Sequence, residues 1–147
     1  MPSLKDNARI RGDEEREAVL EEVRVVEDDR AIVKHVFGNM YRLDKSAISD
    51  PNYMKRVVEE ALASANMELI EIKLWTVGGK KAAVSVIAFI QGGHVALHSW
   101  NEYNYATLDI YTSGGRADPS AIFGSIVRKL RPKRHQVFNV DRSQMDI

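Results

Sequence analysis

Between residues 67 and 112 the chain passes through four β-patterned runs, and the links between the middle ones are too short to hold a helix. Residues 67–77 and 82–90 are separated by Gly78-Gly79-Lys80-Lys81, and a second glycine pair, Gly92-Gly93, leads into the run 95–98. Parallel neighbours need a crossover of about a dozen residues or more, so hairpin-length links point to antiparallel pairing. The run Ala106-Thr107-Leu108-Asp109-Ile110-Tyr111-Thr112 alternates as a further strand and ends at Ser113-Gly114-Gly115. Upstream, AIVKHVFGNMY from Ala31 is β-branched and aromatic, and residues 134–140 have the same character.

Two helices interrupt this pattern. Ser49-Asp50-Pro51 offers a cap followed by proline at the first helical position, after which Met54, Val57, Val58, Ala61, Leu62 and Ala65 recur at helical spacing up to a stop at Asn66. Asp118-Pro119 repeats the signal, and Ala121, Ile122, Ile126, Val127 and Leu130 line one face before Pro132. The predicted order is β-α-β-β-β-β-α-β. The expected fold is α+β: a two-layer sandwich of one antiparallel sheet with both helices on one face.

At 147 residues with 44% hydrophobic content, the chain is long enough for one well-buried domain and too short for two ordinary ones. Residues 1–28 are crowded with charge and read as an extension carrying one possible helix at 13–24, with the domain proper over 29–147. Lys plus Arg equals Asp plus Glu at 21 each, so no long-range field nominates nucleic acid or an anionic membrane as partner. The absence of cysteine excludes a disulfide framework and a thiolate site and suits a reducing cytoplasm. The longest apolar run, near 82–90, is too short to span a bilayer, and the first residues hold no apolar core of signal-peptide length.

The segment GGHVALHSWNEYNYATLDIYTSGG, residues 92–115, resembles the signature of the short prokaryotic S-adenosylmethionine decarboxylases and their archaeal pyruvoyl arginine decarboxylase relatives. Their usual form is Glu-Ser-His, a three-residue strand, His-Thr-Trp-Pro-Glu-Tyr, then Asp and Thr-Cys-Gly. KHVFGNMY, IEIKLW, Asp118-Pro119 and PKRHQVFNVDRS also fall where that family has comparable sequence, so the likeness runs from about Val33 to Ser143. It implies a dimer-forming protein of polyamine (spermidine) synthesis with its pockets close to the subunit interface. No separate cofactor is implied. In the family a serine hydroxyl attacks the preceding carbonyl, the resulting ester undergoes β-elimination, and the new amino terminus becomes the pyruvoyl group that accepts electrons during decarboxylation.

This chain departs from that pattern at the residues that do the chemistry. Aligned on His94, His98 and Trp100, the serine position is Gly93, the glutamate before it is Gly92, and the cysteine that acts as an acid is Ser113. Glycine supplies neither nucleophile nor leaving group, and a hydroxyl is a far weaker acid than a thiol. By the same resemblance His98 matches the histidine used in processing, Glu102 the acidic residue that holds substrate, and Trp100 and Tyr103 the surrounding aromatic frame. Asn101 replaces the usual proline.

Plainer readings stand beside these. Gly92-Gly93 is a good two-residue turn, Ser113 a turn residue, Glu102 a solvated carboxylate, and Asp50 and Asp118 helix caps. His94 and His98 share a strand face, but two ligands fall short of a metal site. Ser85 and Ser99 lie inside predicted strands, away from the aligned bond. Three roles follow. The first is a non-processing pseudoenzyme that pairs with itself or with an active paralogue. The second is a sensor of S-adenosylmethionine, arginine or a polyamine. The third is an active decarboxylase that reaches its carbonyl by another route or whose natural serine has been replaced.

Overall fold

The computed structural model describes residues 30–145; the charged stretch 1–28, with its candidate helix at 13–24, lies outside the described residues. The elements are β1 (Val33–Tyr41), α1 (Lys45–Ile48), α2 (Pro51–Ser64), β2 (Leu69–Val77), β3 (Ala83–Ile90), β4 (Gly93–Trp100), a 3-10 turn (Asn101–Tyr103), β5 (Tyr105–Ser113), α3 (Pro119–Leu130) and β6 (Arg134–Asp141). The strands form one six-stranded sheet in the order β2-β3-β4-β5-β1-β6, antiparallel at every pairing. The expected order and α+β class hold. The short helix α1 is an addition that four residues of sequence carry no periodicity to announce.

The helix ends form for the reasons their sequences state. Asp50 accepts from the backbone N–H of Asn52 and Tyr53, with Pro51 behind it, and Asp118 accepts from Ala121 ahead of Pro119. Asn66 takes the left-handed conformation at φ 57°, as a stop residue should. At the end of α3 the same conformation falls on Arg131 at φ 52°, a residue with no glycine-like signature.

Alternation then fixes the layers. Val84, Val86, Ala88 and Ile90 of β3, Val95 and Leu97 of β4, and Ala106, Leu108 and Ile110 of β5 are all buried, packed with Met54, Val57, Val58, Ala61 and Leu62 of α2 and with Ile122, Phe123, Ile126 and Leu130 of α3. The two long helices also touch each other, so they cover the same face. Ile48 of α1 joins this core. A Cβ at Gly38 would overlap the Gln136 carbonyl oxygen of β6 and stand 2.9 Å from the Phe123 ring, which is why β1 carries glycine at that register.

The opposite face presents the intervening residues in rows set by the pairing. One row reads Glu71, Phe89, His94, Tyr111, His35, Val140; another reads Trp75, Ser85, His98, Thr107, Asn39, Gln136. Among the described residues, no helix is long and apolar enough to cross a membrane.

The two faces differ in what they contribute to stability. Leu108→Ala should lower the unfolding free energy by about 2–5 kcal/mol, whereas Thr107→Ala beside it should change it by less than about 1 kcal/mol, read from urea midpoints at constant slope.

Candidate functional site

The site is built around the β3–β4 hairpin. Its turn residues are Gln91 and Gly92, since Ile90 pairs with Gly93. The expectation of a Gly92-Gly93 turn is therefore corrected by one residue: Gly93 is the first residue of β4. The reason is steric. Only Gly92, at φ +82°, needs the left-handed freedom of glycine, whereas Gly93 needs its lack of volume. A Cβ on Gly93 would overlap the carbonyl oxygen of Tyr111 and stand 2.9 Å from that carbonyl carbon and 3.1 Å from Cα of Thr112. A turn one residue later would have set Ser85 against Trp100; the observed turn sets it against His98.

Ser113 closes the same end of the sheet. Its hydroxyl donates to the carbonyl oxygen of Gly92 at 2.7 Å, and a Cβ on Gly92 would collide with that hydroxyl. Ser113 is itself held by pairing with Val33 and by the bond from Gly114 N–H to Ile32 C=O at 2.8 Å. The fold thus brings together the two aligned positions, 93 and 113, that are 20 residues apart in sequence. Next to them His94 stacks on Tyr111, with centroids 5.3 Å apart and planes at 4°. The Arg142 guanidinium lies 5.4 Å from the centroid of the same ring.

Further along β4, His98 is half-buried, and its Nδ1 is 2.7 Å from Oγ of Ser85. Local sequence gave no hint of that pair; it follows once the turn is placed. Trp100, Tyr105 and Tyr41 form an aromatic row, with centroids 5.5 and 5.3 Å apart, and His98 lies 6.5 Å from Trp100. Tyr41 OH donates to Gln136 at 2.8 Å. Burial, and secondarily the neighbouring Tyr41, raises the Tyr105 phenol above its ordinary value of 10.0. Glu102 and Tyr103 sit on the 3-10 turn and are exposed. Among the described residues, no hydrogen bond or ring contact ties either of them to His98 or Trp100.

Two residues set aside by sequence reasoning have structural work. Ser99 is 1% exposed and donates to Oδ1 of Asn101 at 2.7 Å, while its oxygen accepts the Val84 N–H at 3.1 Å. It is a core hydrogen-bonding group, unsuited to self-cleavage. Asn101 is buried as well, and its N–H donates to the Ala82 carbonyl at 3.1 Å, a bond that proline could not make.

Two measurements check this geometry. Ser99→Ala leaves Asn101 Oδ1 and the Val84 N–H without their buried partner and should cost about 1–3 kcal/mol in chemical denaturation. Because Tyr105 ionises later in the folded chain than in the unfolded one, its contribution to stability is intact below pH ~10 and is lost as pH rises through the raised value. Absorbance titration near 295 nm should show a late-ionising phenol that Tyr105→Phe removes.

Comparison with known proteins places this geometry. The sequence model of S-adenosylmethionine decarboxylase matches residues 34–143. The arginine decarboxylase proenzyme of Hyperthermus butylicus is 42% identical over 117 residues, covering 80% of this chain and 82% of that protein. The crystal structure of the adenosylmethionine decarboxylase from Aquifex aeolicus superposes with a TM-score of 0.72 at 21% identity, over 80% of this chain and 95% of that one, and so shares its fold. The chain belongs to the S-adenosylmethionine decarboxylase family.

Proposed function

We propose that this chain is a non-processing member of its family, a pseudoenzyme of polyamine synthesis that acts in the cytoplasm by pairing with a second chain of the same fold, either another copy or an active paralogue. The family's cofactor is a pyruvoyl group made from the chain itself, and the observation that carries the reading is the residue at the position where it would form. Gly93 has no hydroxyl, no Cβ and no space for one beside the Tyr111 carbonyl. The residues present do not fit a pyruvoyl group. Ser113, at the position of the family's cysteine, offers a hydroxyl, a far weaker acid than a thiol, and that hydroxyl donates to the Gly92 carbonyl.

The sheet face away from the helices supports pairing. Six strands at ~4.8 Å spacing, each about eight residues long, make a face of roughly 25 by 25 Å. That is of the order of the ~800 Å² that each partner buries in a stable complex. The face is rich in the aromatic residues that anchor interfaces: Trp75, Phe89, Trp100 and Phe138 are each more than 40% exposed. His98 and the Trp100–Tyr105–Tyr41 row lie on it too, so a pocket shared between two chains would be lined by them. That row also favours a second reading, in which S-adenosylmethionine, arginine or a polyamine is bound there without reaction.

Intact mass of the purified chain should give one uncleaved polypeptide, with no decarboxylation of S-adenosylmethionine or arginine. Two fragments split before residue 93 would refute the reading. Co-expressed with a serine-bearing paralogue, the chain should co-purify with it and change its rate. Trp75→Arg with Phe89→Arg should weaken association at least tenfold in sedimentation, whether the partner is identical or paralogous. Titration calorimetry with the three small molecules decides the second reading, and absence of heat with all of them removes it.

A further inference from the structure

The missing serine need not be the whole of what separates this chain from self-cleavage. An exposed hairpin would accept a serine in place of glycine with little disturbance, as Gly78 would: its Cβ position is open space, and its backbone lies outside the left-handed region. Gly93 differs in kind. The atoms that occupy its Cβ position are backbone, the carbonyl group of Tyr111 and Cα of Thr112, and backbone cannot rotate aside as a side chain does. Both residues are held in β5, where Tyr111 pairs with His94 and with His35 on the other side.

Gly92 is held by a second device. Its φ of +82° is unfavourable for residues with a side chain, and the Ser113 hydroxyl stands where its Cβ would be. That hydroxyl spans 2.7 Å to the Gly92 carbonyl oxygen, the carbonyl that a hydroxyl at residue 93 would have to attack. Ser113 cannot swing away with its strand, since β5 is tied to β1 at Val33 and through Gly114 to Ile32.

We infer that the hairpin is locked as glycine: the Tyr111 carbonyl fills the volume that a side chain at 93 would need, and the left-handed φ of Gly92 disfavours one beside it, so restoring the serine alone does not return self-cleavage. This rests on the non-processing reading and deepens it. Ser113 is then a latch that ties β5 to the hairpin and no remnant acid. A side chain at 93 could be seated only after the start of β4 had moved away from the Tyr111 carbonyl, next to the His94–Tyr111 pairing.

The test compares three variants of the full chain. Gly93→Ser should remain a single uncleaved polypeptide by intact mass and should melt at least about 10 °C below the parent, or fail to accumulate as folded protein. Gly78→Ser, the same change in the other hairpin, should melt within about 2 °C of the parent, which separates the effect of the site from that of serine itself. Ser113→Ala should lower the melting temperature by a few degrees through loss of one hydrogen bond. Cleavage of Gly93→Ser before residue 93, or a melting temperature within about 2 °C of the parent, overturns the inference. If the unaltered chain were itself split, the non-processing reading would fail; if only Gly93→Ser were split, that reading would stand and the lock alone would fall.

Discussion

Every other side chain of β3, β4 and β5 is buried against α2 and α3, and that burial sets everything else in the molecule. Each buried Val, Leu or Ile contributes about 1.5–3 kcal/mol relative to exposure. A slip of one residue would turn Val84, Val86, Ala88 and Ile90 outward and bring Ser85 and Phe89 into the core, at a cost comparable to the whole stability of a small domain. The register is therefore held, and with it the rows on the far face. Ser85 meets His98, and His94 meets Tyr111, because the apolar residues between them have no alternative.

The hairpin at Gln91-Gly92 is where that constraint reaches the site. The strands approach so closely at its base that the first residue of β4 has backbone where a Cβ would project. On the proposed reading, that close approach leaves no room for a side-chain oxygen at residue 93. The hydroxyl of Ser113 ties β5 to the hairpin through the Gly92 carbonyl. Trp100, Tyr105, Tyr41 and His98 are placed by the register of the sheet and not by the hairpin tip.

Much of the fold was legible because its signals are local. Asp50-Pro51 and Asp118-Pro119 start helices through bonds that span two or three residues, and Asn66 stops one through its own backbone preference. The antiparallel pairing of the middle strands followed from links too short for a crossover. What escaped was whatever depends on partners distant in sequence. Ser85 and His98 are 13 residues apart, and moving the turn by a single residue exchanges His98 for Trp100. Ser99 read as a strand residue and Asn101 as a replaced proline, and they are one buried hydrogen-bonding unit.

The sequence by itself determined that this is an α+β chain with two capped helices and an antiparallel sheet, that residues 92–115 resemble the family motif, and that no hydroxyl or thiol stands at 93. These are matters of residue identity and short-range preference. Tertiary structure alone decided that the turn falls on Gln91-Gly92, that Gly93 abuts Tyr111, that Ser113 serves the Gly92 carbonyl, and that the aromatic residues share one face. Those outcomes come from strand register, which the packing of the whole sheet against its helices selects and no stretch of neighbouring residues encodes.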